Sequence, residues 1–561
     1  MSTLPRMVGR FRDVAAVVTV AAVLCVPSLF TRDPWNPDEP RYQEVAREMV
    51  SRGDYLVPHL NGEPYSDKPP VAFWLSAALW RLGLGLKSGR VVAFLATAGT
   101  LLVTYALGRR LYGWRVGLLA TLITATCVLF AWISRLGVLD PPLTFLVVGA
   151  IACSLRAFEA RPGRAGPWWL GFYALVALGI LTKGPVALGL AGVVALSYGM
   201  ARRKVVRGGG WWHLAGAALM LALVGAWVGP AAWRGGEAYA NDLVVRQTLR
   251  RLAESDSHRE PPHFYLKYAM ACFFPWSLVL VLAFLAAVRD ARRGEGGSWL
   301  PVLWLGVGFL FFTAFSSKRE RYLLPLMPAA GLLCARYVWM AAREGPPWPR
   351  WHAGLWRATF VLLVAAAGGL GAAALMPGQV ARKFAEDAPA AAEVREALGG
   401  AFSVPLLAAA VAMVAAGLYG LCSRRGGERR RVALAAGFML VLSLVADLAV
   451  TPAVDRFKSG KDLVEESEPY LRDAQRLYLL GEDYSGVYNL YLRRDHIPVL
   501  ADGKAAWKAL ATAQRVAVVG RKRHFGRTLH MRGARAVAAE RVGHREMTVM
   551  ANWKAEATSA P

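Results

Sequence analysis

Cysteine and acidic residues are the scarce components of this chain. Six cysteines in 561 residues exclude a disulfide-built scaffold. All six (Cys25, Cys127, Cys153, Cys272, Cys334 and Cys422) fall in or at the ends of apolar runs, where neither a structural disulfide nor a thiolate metal site is expected. The chain has no Walker A sequence and no G-x-G-x-x-G after a strand-like run, so no nucleotide-binding motif stands out. Internal repeats and low-complexity tracts are missing as well. Asp and Glu number 39 against 66 Lys and Arg, which leaves a net charge of +27. What the chain has in excess is apolar: 55% hydrophobic residues, 20 Trp and a mean hydropathy of +0.33. That exceeds the usual share of about 45–50% and excludes disorder. The positive charge is then either a nucleic-acid footprint or the cytoplasmic bias of a membrane protein. Its placement decides.

Apolar runs approaching the ~20 residues needed to cross a bilayer recur at about 14–30, 90–107, 116–133, 141–155, 168–182, 185–200, 212–232, 268–288, 299–315, 322–340, 358–376, 402–422 and 432–450. They predict an all-α polytopic membrane protein of about 13 spans. Arg6, Arg10 and Arg12 precede the first run and set the N-terminus inside. The seven segments then predicted to be cytoplasmic hold 25 basic residues, and the four short outer connections hold 8. This asymmetry orients the chain and removes the nucleic-acid reading, because the inner charge is split among short loops. The first run is expected to be a retained anchor, not a cleaved signal. Val71–Trp80 is apolar but only ten residues long; as a span it would place the basic loops outside, so it is expected to be re-entrant or interfacial.

Residues 1–452 form the expected transmembrane domain, with long outer loops at 31–89 and 233–267. Residues 453–561 change pattern, to short β-like runs (Leu477–Leu480, Arg515–Gly520, Glu546–Met550) and helical stretches such as Gly503–Leu510. They are expected to form a small extracytoplasmic α/β domain.

The first outer loop carries the densest chemistry. Asn36 looks like a helix cap, Pro37 the first helical residue, and Glu39 the closing residue of a capping box. The helix should run to about Ser51, with Tyr42, Val45, Met49 and Val50 on an apolar side and Arg41, Glu44, Arg47 and Glu48 on polar sides, lying along the membrane surface. Asp38 in its first turn either complements the helix dipole or is a base held at the membrane lip. Lys68 before Pro69-Pro70 either snorkels or binds a lipid phosphate. Asp140 before Pro141-Pro142 either caps its helix or faces the first loop as a second carboxylate. The loop 233–267 brings Arg251, His258 and Arg259; arginines suit phosphates, and His258 with His263 near Glu260 could bind a metal, although their spacing fits no zinc signature well. Lys318, Arg319, Arg321 and Tyr322 end the last outer turn.

Taken in order, these pieces resemble the GT-C membrane glycosyltransferases, and within them the lipid A 4-amino-4-deoxy-arabinose transferases, with protein O-mannosyltransferases more distant. The resemblance rests on P-D-E-x-R-Y (37–42), R-G-D-x-x-x-P-x-x-N-G-x-P-Y (52–65), D-K-P-P (67–70), Asp140, L-T-K-G-P (181–185), H-R-E-P (258–261) and S-K-x-x-x-Y-L-L-P-L-x-P (317–328). It implies transfer of a sugar from a polyprenyl-phosphate donor to a lipid, glycan or protein acceptor on the outer face of the cytoplasmic membrane. It further implies catalytic roles for Asp38, Asp140 and Glu39, and substrate or phosphate contacts from Arg41, Tyr42, Tyr65, Lys68, Arg251, Arg259, Lys318 and Tyr322. A divalent metal on Asp67 and His258 is the one cofactor left open; Asp67 stands where the family commonly has Glu. Two other readings compete, a multi-span transporter and a non-catalytic polyprenyl-lipid-binding assembly protein. A transporter would place ionisable groups at span centres, where this sequence has almost none.

Overall fold

The computed structural model describes residues 4–161, 163–203, 210–243, 260–294, 296–375, 404–422, 427–481, 486–542 and 545–554. Each of the thirteen apolar runs falls on a helix or a broken pair of helices. Among the described residues seven helices are long and apolar enough to cross a membrane, or eight if the pair Phe264–Cys272 and Ser277–Arg292, bent by 107°, is one span. Four further apolar helices of 10–17 residues include Trp114–Ala125, Val186–Ala201 and Trp299–Ala314. The chain is an integral membrane protein. Its helices pack through small residues, which let backbones approach where lipid offers no competing hydrophobic drive. A Cβ on Gly108 would lie 2.7 Å from the Cα of Gly117, so helices Ser88–Tyr112 and Trp114–Ala125 cross at backbone contact. Val71–Leu79 is a nine-residue helix. Positive φ at Gly83 (88°) and Gly85 (49°) separates it from Ser88–Tyr112, and alone it is too short to cross.

The loop helix spans Asp38–Arg52 and closes on Gly53 in the left-handed region. Its start departs from expectation. Pro37 is the cap and no side chain caps the helix. Asn36 instead donates its Nδ2 to the carbonyl of Ser459 (3.3 Å). Glu39 closes no capping box: it is buried in a bidentate pair with Arg32 (2.6 and 2.8 Å) and accepts from the backbone N–H groups of Trp35 and Gly137. Four charge-assisted bonds satisfy a carboxylate that burial alone would leave costly.

The expected polar side of the helix is not at a water or membrane surface. Glu44, Arg47 and Glu48 are buried, because the C-terminal region covers them. Arg47 grips Glu44 through two bonds (2.8 and 2.7 Å) and reaches Asp495 (2.8 Å). Glu48 accepts from the backbone N–H groups of Asn61 (2.6 Å) and Gly62 (3.1 Å). Those two residues form the turn of a hairpin, β1 (His59–Leu60) against β2 (Glu63–Pro64), with φ of 56° and 83°. An Asn-Gly pair is the usual occupant of such a turn. Asn61 is also a hub for the C-terminal region. Its Oδ1 accepts from Asn489 Nδ2 (2.8 Å) and the Ile497 N–H (2.7 Å), and its Nδ2 donates to the Ile497 carbonyl (3.0 Å).

That region is built on a five-stranded mixed sheet of β3 (Arg476–Leu480), β4 (Val499–Leu500), β5 (Val516–Arg521), β6 (Arg535–Val542) and β7 (Arg545–Ala551), in the order β4-β3-β5-β7-β6. β3 runs parallel to β4 and β5, and β7 is antiparallel to β5 and β6. The three β-like runs of the sequence are β3, β5 and β7, and Gly503–Leu510 is the helix expected there. β6 and the two-residue β4 had no clear signal. One sheet face packs Leu477, Leu479, Val519 and Val549 with Tyr488 and Ile497. The other packs Leu480, Val516 and Val518 with Leu510 and Phe525.

Candidate active site

A cavity of about 960 Å³ opens between the loop helix and the transmembrane helices. Its charged lining comes from helix and turn ends: Asp38 and Arg41 from the loop helix, Asp67 and Lys68 from the Pro-Pro step, Asp140 and Lys183 from two spans, and Arg319 and Arg321 from the 315–326 turn. Its apolar lining comes from helix flanks and includes Leu143, Val147, Leu188, Val224, Trp227 and Phe312. One cavity therefore offers several cations and two paired carboxylates beside a hydrocarbon-like wall. Such a surface suits an anionic headgroup carrying a long apolar chain.

The carboxylates are organised by cations. Arg321 donates Nη1 to Asp38 Oδ2 at 2.8 Å, and the same nitrogen lies 3.9 Å from Asp140 Oδ2. Lys183 Nζ takes the other Asp140 oxygen at 2.6 Å. The array runs cation, anion, cation, anion. Burial pushes the Asp38 carboxyl up, but Arg321, then Arg41 and Arg319, outweigh it and hold the group below the ordinary carboxylate range. Asp38 is thus charged at neutral pH, the state a proton acceptor needs. Asp140 is the first residue of its helix and only 4% exposed. It caps nothing through its side chain and faces the loop helix.

The remaining predicted residues divide. Arg41, Tyr42, Lys68 and Tyr322 line the cavity with Asp38 and Asp140. Lys68 follows Asp67, to whose carbonyl its Nζ donates (2.9 Å), and Pro70 then starts the nine-residue helix. Tyr65 sits behind the lining, packed edge-on against Phe73, which also meets Tyr42. Burial raises the pKa of its phenol, which the nearby Arg41 offsets only in part. Two predicted residues lie elsewhere. Glu39 is consumed by Arg32 and does not line the cavity. Lys318 is buried, with its ammonium on the carbonyls of Glu260 (2.8 Å) and Phe315 (2.6 Å), where it pins one loop to another. Arg251, His258 and Arg259 lie outside the described residues. Asp67 lines the cavity, and among the described residues no group of three His, Cys, Asp or Glu side chains is placed to hold a metal.

Sequence reasoning missed Lys183 and Arg321 as site residues. Both stood inside motifs it had marked. Lys183 stood in the L-T-K-G-P run between two apolar stretches, and Arg321 was one of three cations in four residues, with nothing to tell which one faces inward.

The helical arrangement, with its long first loop and sheet-containing C-terminal region, is the GT-C architecture of membrane-embedded glycosyltransferases. Within that class the chain resembles the lipid A aminoarabinose transferases. Residues 11–232 match the dolichyl-phosphate-mannose-protein mannosyltransferase family. The chain is 32% identical over 310 residues to undecaprenyl phosphate-alpha-4-amino-4-deoxy-L-arabinose arabinosyl transferase 1 of Sodalis glossinidius, covering 54% of each chain. It is 30% identical over 331 residues to the transferase of the same description from Pectobacterium atrosepticum, covering 57% of this chain and 58% of that one. The matched part thus spans about half the length of these curated relatives. The fold agrees over its full extent with the crystal structure of ArnT from Cupriavidus metallidurans bound to undecaprenyl phosphate, at a TM-score of 0.77 and 22% identity, covering 98% of this chain and 99% of that one.

Proposed function

We propose that the protein transfers a sugar from a polyprenyl-phosphate donor to a lipid, glycan or protein acceptor at the outer face of the cytoplasmic membrane. The observation that carries this reading is the single cavity in which Asp38 and Asp140 stand among Arg41, Lys68, Arg319 and Arg321 beside an apolar wall. The names of the relatives specify an undecaprenyl phosphate-linked sugar, and a donor of that kind has the two-part chemistry of the cavity. The distribution of basic residues supports an N-terminus inside and the loop helix outside.

In this reaction Asp38 accepts the proton of the acceptor hydroxyl as its oxygen attacks the anomeric carbon. The bond from that carbon to the phosphate oxygen breaks, and the electron pair leaves on the phosphate. Lys68 and Arg41 hold the phosphate, whose charge grows in the transition state, so their attraction is greatest there. Asp140, fixed by Lys183, helps hold Arg321 between itself and Asp38. A transporter is disfavoured because the cavity's charges sit at helix ends and loops. Asp38→Asn in the purified full-length protein should abolish transfer while insertion and folding persist; near-normal transfer by that variant removes the catalytic assignment. Mass spectrometry of envelope glycolipids and glycoproteins with and without the protein would name sugar and acceptor.

A further inference from the structure

Arg321 occupies a position that the proposed reaction does not yet explain. Its guanidinium is bound to the carboxylate that should act as base, at 2.8 Å, and it leans toward the second carboxylate, at 3.9 Å. Both side chains of the Asp38–Arg321 pair are 20% exposed, so the contact is well shielded from water. A base locked to an arginine is a weak base, because the cation stabilises the very charge that must be given up. A lysine or arginine meant only for phosphate would not need to sit there, since Lys68, Arg41 and Arg319 line the same cavity.

The charge balance of the reaction gives this placement a purpose. Before transfer the negative charge is on Asp38, and the sugar phosphodiester carries one negative charge. After transfer Asp38 holds the acceptor's proton and is neutral, and the released polyprenyl phosphate carries a second negative charge. One unit of negative charge has moved from the carboxylate to the phosphate. A cation that contacts the carboxylate and lines the same cavity can follow the charge and remain paired throughout.

We propose that Arg321 exchanges partners, releasing Asp38 as it takes up the donor phosphate. This rests on the polyprenyl-phosphate reading. The Asp38–Arg321 contact is then the arrangement before the phosphate engages, and binding of the lipid phosphate draws the guanidinium away. Asp140, already held by Lys183 at 2.6 Å, lies 3.9 Å from the same Arg321 nitrogen. The exchange makes proton abstraction dependent on a bound donor, which keeps the base inactive toward an acceptor that arrives first.

The test needs no knowledge of the sugar, because it uses the lipid product. Undecaprenyl phosphate binding is measured on full-length protein in nanodiscs, for wild type, Asp38→Asn, Arg321→Gln, Arg321→Lys and the double variants Asp38→Asn/Arg321→Gln and Asp38→Asn/Arg321→Lys. Removing the competing carboxylate charge should tighten binding on the order of three- to tenfold, the scale of one partly buried ion pair. In the Arg321→Gln background the same change should give no tightening. Arg321→Lys should restore part of the gain, and thermal unfolding checks that each variant is folded. An equal gain in both backgrounds means simple repulsion between Asp38 and phosphate, and overturns the exchange. No gain in either background overturns it as well. Failure of wild type to bind undecaprenyl phosphate at all is a different result and removes the donor reading itself.

Discussion

The grip of the C-terminal region on the loop helix can be tested at Arg47. Its guanidinium makes two bonds to Glu44, whose side chain is fully buried, and a third to Asp495, which is 40% exposed. Arg47→Met keeps the aliphatic stem but leaves the Glu44 carboxylate buried without its cation. Where Glu44 is ionised, breaking such a pair costs about 3–5 kcal/mol. Losing only the exposed partner, by Asp495→Ala, should cost about 0–1 kcal/mol. Replacing both buried members, as in Arg47→Met/Glu44→Leu, should recover most of the loss, because no charge is then stranded. The pH dependence carries the sign. Burial already pushes the Glu44 carboxyl up to about 8 from 4.5. A folded-state pKa above the unfolded one favours folding while the group is protonated, and that contribution is lost as pH rises through the folded value. Without Arg47 the folded pKa rises further, so the two stability profiles should run parallel below about pH 8 and the variant's deficit should grow above it. Thermal unfolding in nanodiscs at several pH values measures it, and limited proteolysis reports release of the C-terminal region. A variant whose deficit does not grow above pH 8, or a double variant no better than the single, refutes the buried-pair reasoning. The same loosening should lower transfer, since Asp38 and Arg41 ride on this helix.

Other expectations are separate. Lys68→Ala should weaken donor use by about tenfold, the loss of one charge-assisted contact of ~1.4 kcal/mol, with stability unchanged; unaltered donor dependence removes Lys68 from the phosphate site. Gly108→Val should reduce folded yield sharply, because Gly108 already meets the backbone of Gly117; normal yield contradicts the close crossing. Asp455 anchors the segment before the loop helix, accepting from the Asp33 N–H (2.8 Å) and the Trp35 indole (2.6 Å). Burial raises its carboxyl from 3.8 to about 6, so its contribution should fall away as pH rises from about 4 through 6. Asp455→Asn should flatten that part of the stability profile, and an unchanged slope assigns the titration elsewhere.

The site was partly legible because its parts are local. Asp38 and Lys68 announced themselves by their prolines, and Asp140 by its place at the edge of an apolar run. Glu39 misled because a carboxylate in a first helical turn reads as a capping or catalytic group. Its true partner, Arg32, is seven residues upstream across a turn that only the fold closes. Lys318 misled for the same reason in reverse: its cation is satisfied by two carbonyls, one of them 58 residues away.

The sequence by itself determined the membrane architecture, since crossing a bilayer demands long apolar runs and basic loops on one side, and both are written in composition. It also determined the mixed α/β character of the C-terminal region, because alternating short apolar runs have a local period. Only the tertiary structure decided which charges meet. The alternation of Lys183, Asp140, Arg321 and Asp38 joins four separate segments, and the burial of Glu44 and Arg47 depends on a region more than 400 residues further along the chain. Such pairings depend on distance and dielectric in space, and neither quantity has a period along the chain.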